Sequence, residues 1–239
     1  MAFCSDQGIV LRGYSFGEAD RIIVLISPNH GKIRTVAKGV RKTKSRFGGR
    51  LEPLTHVDLV LYEGRNLDTI TQVSVIAAFP KLRLDLYAVL AASTMAEAID
   101  KVVVEGEPSH RLFLLLQRGL KALEGGARGQ DLVTAFLLKM MEVLGLAPAL
   151  VHCASCGRED GLNRFSLAGG GVVCDTCGTS GAVRLRDGLT TYLAMLSSAD
   201  LAEMPDADAS LSGEAVGITR RFVEYHIETR LESLAVLNG

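Results

Sequence analysis

Two cysteine pairs constrain this chain more than any other feature. Cys153-x-x-Cys156 and Cys174-x-x-Cys177 stand seventeen residues apart. Two residues between cysteines let both thiolates of a turn reach one ion, and two such turns complete a tetrahedral four-sulfur shell. The stretch between them has little apolar content, so a bound ion would do the folding that a core does elsewhere. Gly157 and Gly178 follow the two pairs directly, where tight turns aim backbone N–H groups at sulfur. Two disulfides would suit an oxidising compartment, and a redox pair would need only one of the motifs and a thioredoxin-like context. The spacing favours one structural Zn2+ held by Cys153, Cys156, Cys174 and Cys177, with no open coordination position for catalysis. His152 sits beside the first pair as a bystander, and Cys4 is left without a partner in sequence.

Charge is the second constraint. The 239 residues carry a net charge of only −1, yet no acidic residue occurs between Asp20 and Glu52. That interval holds Arg21, Lys32, Arg34, Lys38, Arg41, Lys42, Lys44, Arg46 and Arg50. In an extended strand Lys32, Arg34, Val36 and Lys38 share one face, and the glycine-hinged segment 39–50 adds five more cations and one aromatic, Phe47. Such a cluster suits a polyanion, whose phosphates bind Lys and Arg with release of counterions. Lys32, Arg34, Lys38, Arg41, Lys42, Lys44 and Arg46 are therefore the expected nucleic-acid contacts. Tyr14, Phe16, Phe47 and Tyr62 are candidates for base stacking. With no Trp and 5% aromatic residues, charge should outweigh stacking. A solvated basic loop without a partner is the bland alternative.

Secondary-structure signals divide the chain. Ile9–Tyr14, Arg21–Ser27, Lys32–Lys38, His56–Tyr62 and Thr69–Ile76 are short, rich in Ile, Val and Thr, and separated by turn signals. Five such strands suit a closed barrel of the oligonucleotide-binding (OB) type, with an SH3-like barrel or small sandwich also open. After Pro80 the periodicity becomes helical: Leu82, Leu86, Val89, Leu90, Ile99 and Val103 form one stripe, Leu112, Leu115, Leu116, Leu120 and Leu123 a second. Leu132, Phe136, Met140, Val143 and Leu144 form a third, ending at Gly145. A last helix is expected from about Glu214 to Leu234, burying Val216, Val223, Ile227, Leu231 and Leu234. Segments 125–129 and 202–209 read as loops.

The reading is a multi-domain α and β protein: an OB-fold barrel over 1–80, a helical domain beginning at 81–150, an inserted four-cysteine zinc module at 151–182, and the rest of the helical domain at 183–239. Uncharged runs fall short of the roughly 18 residues of a spanning helix, and the start lacks a secretory signal, so a cytoplasmic location with reduced thiols is expected. There is no Walker loop, no Gly-x-Ser-x-Gly elbow and no His-Glu-x-x-His helix, and the barrel's acids are scattered. An enzyme such as a nuclease or ATPase finds no catalytic residues here.

Placed in this order, the barrel, helices, four-cysteine insertion and returning helix resemble the RecO family of bacterial recombination mediators. The stretches Gly17-Glu18-Ala19-Asp20-Arg21, Gly31-Lys32-Ile33-Arg34-Thr35-Val36-Ala37-Lys38-Gly39, Leu51-Glu52-Pro53 and Cys153-Ala154-Ser155-Cys156-Gly157 carry the resemblance. It implies binding of single- and double-stranded DNA, annealing of complementary strands, and engagement of the acidic tail of single-strand-binding protein. It further implies action with RecR to place RecA on coated DNA, RecF possibly taking part, and association with the nucleoid during repair. Arg34 and Lys38 match the family's DNA-contacting strand. The tail's pocket is expected in the helical domain, with Arg111, Arg118, Lys121 or Arg220, Arg221 as its basic rim. Some relatives lack the cysteines; this chain keeps all four. An RNA-binding or transcription-associated zinc-ribbon protein is the alternative reading.

Overall fold

Strands form where Ile and Val recur between turn-forming residues, and here five of them close on themselves. In the computed structural model, which describes residues 3–178 and 181–233, they are β1 (Phe3–Phe16), β2 (Asp20–Ser27), β3 (Gly31–Ala37), β4 (His56–Tyr62) and β5 (Asp68–Ala77). Their order around the barrel is β1-β2-β3-β5-β4, with β4 returning to β1 and β3 meeting β5 in parallel. This is the OB arrangement. Long β1 serves two neighbours: its first half pairs with β4 and its second with β2, and a register shift between Val10 and Arg12 turns it from one to the other.

The barrel interior holds Val10, Ile23, Leu25, Ile33, Val57, Leu59, Leu61 and Ile70. Phe47 and Leu51 join them from the connection between β3 and β4, Leu51 as the last residue of a short 3-10 turn, Gly48–Leu51. β3 ends at Ala37, so Lys38 belongs to the connection and not, as expected, to the strand.

Helices α1 (Leu86–Val102) and α2 (His110–Glu124) complete the first of two compact units, Met1–Glu124. Asp85 caps α1 by accepting a hydrogen bond from the Ala88 N–H at 3.0 Å. The expected stripe holds at Leu82, Ile99 and Val103, all buried, and fails at Leu86. Leu86 is 76% exposed, and the buried face is Ala88, Ala91, Ala92, Met95, Ala96 and Ile99. Small side chains let this helix approach its neighbours closely, a signal that leucine spacing does not carry. On α2 the expected stripe is buried together with Phe113, and the helix stops before Gly125.

The second unit, Gly125–Gly239, is built on α3 (Gln130–Val143), with α4 (Leu189–Ser198) and α5 (Ala209–His226) packed against it. A buried Asp131 links the three. Its Oδ2 accepts from the Tyr192 hydroxyl at 2.7 Å and the Ser212 hydroxyl at 2.8 Å. Between α3 and α4 lie β6 (Leu162–Ser166), β7 (Gly171–Cys174) and β8 (Val183–Arg184), a three-stranded sheet with β6 central. The last helix begins before Glu214 and ends before Glu228, whose φ of 52° breaks it. Leu231 is still buried, beyond the helix, whereas Leu234 lies outside the described residues. Among the described residues, no helix is long and apolar enough to cross a membrane.

Candidate nucleic-acid interface and metal centre

The basic segment occupies one strand and one loop of the barrel, and its cations divide into those held by carboxylates and those that are not. Lys32 belongs to the first group. Its Nζ lies 3.3 Å from Asp100 Oδ1 and also donates to the Asp100 carbonyl, leaving its side chain 16% exposed. Arg12 holds the other oxygen of Asp100 at 2.6 Å. Lys32 is thus engaged by Asp100 and tied to the α1–α2 connection, whose Val104 carbonyl accepts from the Lys32 N–H at 3.3 Å. Arg34 is intermediate: it donates to the Tyr14 hydroxyl at 2.9 Å and pairs with Glu105 at 3.6 Å, both partners at the surface. The Tyr14 hydroxyl first, and Glu105 second, favour its charged form.

Lys38, Arg41, Lys42, Lys44 and Arg46 are exposed, and among the described residues no carboxylate lies within ion-pair distance of them. Their loop is not the free, hinged segment that its glycines suggest. Asp20 Oδ1 accepts from the Gly39 N–H at 2.7 Å, and the Arg41 N–H donates to the Ala19 carbonyl at 3.0 Å. Asp20 thus serves the strand end, as its position beside Arg21 suggests. At the far side Phe47 plugs the barrel at 1% exposure, with the Arg46 guanidinium 4.8 Å from its ring centroid. Between these anchors four cations, Arg41, Lys42, Lys44 and Arg46, lie at the surface, with Lys38 just before the first.

Burial removes Phe47 from the stacking candidates: a ring inside the core cannot meet a base. Phe16 is 48% exposed, and Tyr14 and Tyr62 are half-buried. An aromatic missed in the sequence is Phe3, 68% exposed and 5.2 Å from the Tyr62 ring. Its place at the start of a strand only becomes visible because β1 begins at Phe3 and not at Ile9.

In the second unit the four cysteines converge. The sulfurs of Cys153, Cys156, Cys174 and Cys177 all lie within 4.8 Å of one another, and those of Cys156 and Cys174 are 3.8 Å apart. A tetrahedral ion with sulfur bonds of about 2.3 Å has edges of about 3.8 Å. The donor set therefore fits a closed four-thiolate shell. Each pair is a tight turn: the Gly157 N–H donates to the Cys153 carbonyl at 2.9 Å, and the Gly178 N–H donates to that of Cys174 at 2.9 Å. Gly157 needs its glycine for a φ of 76°; Gly178 needs it because a Cβ there would come within 2.5 Å of the Arg164 side chain.

The sulfurs' electrostatics point the same way. A hydrogen bond from the Cys174 N–H, with others from its own turn, brings the Cys153 thiol down to about 6. The Thr176 hydroxyl and the Cys177 N–H also lower Cys174. Neighbouring sulfurs, Cys156 first, push Cys177 up to about 12. Four crowded sulfurs cannot all ionise unless a cation stands among them. The surrounding core is small: Val173 and two of the cysteines themselves, with Ala154, Leu162 and Ala182 packed around. His152 is exposed and outside the cluster.

Comparison with known proteins places both units in one family. The family model described as Recombination protein O N terminal matches residues 1–79, and that described as Recombination protein O C terminal matches residues 83–235. A protein of Nocardioides sp. named DNA repair protein RecO is 44% identical over 237 residues, covering 96% of this chain and 97% of the relative. Proteins of the same name from Frankia casuarinae and Thermobifida fusca are 43% and 40% identical; the matches cover 97% and 99% of this chain and 97% and 99% of those relatives.

Proposed function

The chain belongs to the RecO family of DNA repair proteins, and on that premise we propose that it is a recombination mediator that grips single- and double-stranded DNA through its barrel loop. The observation that carries this reading is the set of five exposed cations, Lys38, Arg41, Lys42, Lys44 and Arg46, on a pinned loop, with no carboxylate among the described residues in ion-pair reach of them. A pinned loop loses little freedom on binding, so each phosphate contact is retained at low entropic cost. Arg34 adds a sixth contact when phosphate displaces Glu105 from its surface pair, since exposed pairs of this kind are weak. Arg12 and Lys32 position the face rather than touch DNA.

Cations without base-edge readers give affinity that ignores sequence. That suits annealing: two complementary strands are drawn to one positive surface, their repulsion falls, and base pairing itself supplies the selection. In the same reading RecR joins the chain to load RecA onto strands coated by single-strand-binding protein, with RecF as a further candidate partner, and no covalent step is assigned to it. The acidic tail of single-strand-binding protein would meet the basic face of α2, where Arg111, Arg118 and Lys121 are all exposed. Spacings of seven and ten residues put them on one side of the helix. Arg220 is less suited, because Glu224 already holds it at 3.1 Å. Zn2+ in the four-cysteine shell would hold the second unit's sheet together and take no part in chemistry.

Annealing of complementary strands coated with single-strand-binding protein tests this function. The chain should accelerate duplex formation, and adding a peptide of the acidic tail should slow it. An RNA-binding zinc-ribbon protein would leave coated DNA strands apart.

A further inference from the structure

One cluster of chemistry-bearing side chains in the first unit is unrelated to the basic loop. Cys4 lies near the start of β1, and its Sγ is 3.7 Å from His30 Nε2. The other ring nitrogen, His30 Nδ1, is 2.6 Å from Asp6 Oδ2. Asp6 is 5% exposed and fully engaged: Oδ1 accepts from the Gln7 N–H and the Asn29 amide, each at 2.8 Å, and Oδ2 accepts from the Ser27 hydroxyl. Burial opposes its charge, but the Ser27, His30, Gln7 and Asn29 hydrogen bonds outweigh that and hold its carboxyl below 3.8. An ionised carboxylate only accepts, so His30 Nδ1 must carry the proton shared with Asp6. In the neutral ring Nε2 then carries the lone pair, facing the thiol. The His30 backbone is fixed as well, its N–H donating to Ser27 Oγ at 3.1 Å.

A nucleophile, a base in reach of it and a third group that orients the base are the parts of an activated thiol. The thiol also has somewhere to receive a reactant. Cys4 and His30 border a cleft of about 310 Å³, with Ile33 and Leu61 as apolar wall and Glu63 and Asp68 as the acidic part. We propose that Cys4, His30 and Asp6 form a base-assisted nucleophilic thiol, a modification site for small, soft, uncharged electrophiles and in particular for hydrogen peroxide. With peroxide, Sγ attacks one oxygen as its proton passes to His30 Nε2. An S–O bond forms and the O–O bond breaks. Sulfur is oxidised by two electrons to the sulfenic acid, and the departing hydroxide takes the proton from Nε2 to leave as water. The acidic residues disfavour anionic reactants. His30 precedes β3 and the basic loop follows it, so seven residues of strand, roughly 20 Å, separate His30 from the loop cations proposed to meet DNA, while Arg34 lies within that strand. Alkylation of Cys4 is read without DNA, so its outcome is independent of DNA binding.

The test is the alkylation rate of Cys4 itself, followed by peptide mass spectrometry on the full, zinc-loaded chain with limiting iodoacetamide. An unassisted thiol of ordinary pKa is about 3% thiolate at pH 7, so full assistance is worth at most about 30-fold. Wild-type Cys4 should react about tenfold faster at pH 7 than in His30→Gln, and the variant's rate should climb with pH as for a simple thiol. The other titratable groups facing the pair are the carboxylates Asp6, Glu63 and Asp68, and they are unchanged in the variant. Brief peroxide exposure followed by a sulfenic-acid trap should label Cys4 in wild type and sparsely in the variant. Equal rates in wild type and a folded His30→Gln, or wild-type Cys4 reacting no faster than the same sequence as a free peptide, would overturn the assignment. His30 is half-exposed, so its replacement leaves the fold intact, and Cys4→Ser supplies the blank.

Discussion

Replacing Phe47 by alanine separates two roles that the sequence leaves together. As an exposed platform on a basic loop, Phe47 would lose base stacking on truncation and little stability. As a plug at 1% exposure beside Leu51, Val57 and Leu59, it should lose a great deal of stability. A buried Phe-to-Ala change costs about 3–5 kcal/mol, from lost transfer energy and the cavity left behind. With unfolding entropy near 2.1 cal/mol/K per residue, the 124 residues of the first unit have about 260 cal/mol/K. About 4 kcal/mol then lowers the melting point of that unit by roughly 15 °C. Calorimetry should place the whole shift in the transition of the barrel unit. At a temperature where both proteins are folded, the slope of log affinity for single strands against log salt should be unchanged, because no cation is removed. A shift of 2 °C or less, accompanied by a marked loss of affinity, would refute the plug and restore the platform.

Other consequences follow from individual contacts. Cys174→Ser, or exposure to a strong chelator, should abolish hydrogen-exchange protection over residues 151–178 while leaving the barrel protected, since Val173 is the main apolar residue buried in that core apart from cysteine. An unchanged exchange pattern after metal removal would argue against a structural ion. His56 is buried against Phe113, and burial first, then Lys121, hold its imidazole below the ordinary 6.5. The unfolded chain then binds the proton that the folded one resists, so stability should fall as pH drops below 6.5, and His56→Gln should remove that component of the pH–stability curve. Asp100→Asn should cost about 1–3 kcal/mol by leaving half-buried Lys32 without its counter-ion. Its melting curve should shift while annealing by the folded protein is preserved.

The barrel was legible because its signals are local. Alternating Ile and Val between turns gave all five strands, and His56–Tyr62 coincides with the observed β4. The four-cysteine cluster was legible for the same reason, since each short cysteine spacing makes a turn and the two turns converge. What failed were features decided at long range. The partner of Lys32 is Asp100, on the helix that follows the barrel, and no spacing within the basic segment announces it. Phe47 among cations looks like a platform, yet a barrel open at one end needs a plug, and the connection between β3 and β4 provides it. The first helix buries alanines and exposes Leu86, because closeness of approach, and not side-chain bulk, decides that interface. Short α4 was missed although its buried Leu189, Tyr192, Leu193 and Leu196 repeat at helical spacing; ten residues rich in Thr and Ser form a short stripe.

Salt dependence of single-strand binding measures the number of cations that meet phosphate, and so bears on the DNA-gripping loop with the fewest intermediaries. Five loop contacts and Arg34, at about 0.7 each, give a slope of about −4.2 for wild type, and Lys38→Glu combined with Lys42→Glu and Lys44→Glu should bring it to about −2.1 or shallower. A triple variant that keeps both the wild-type slope and the wild-type affinity would contradict the account.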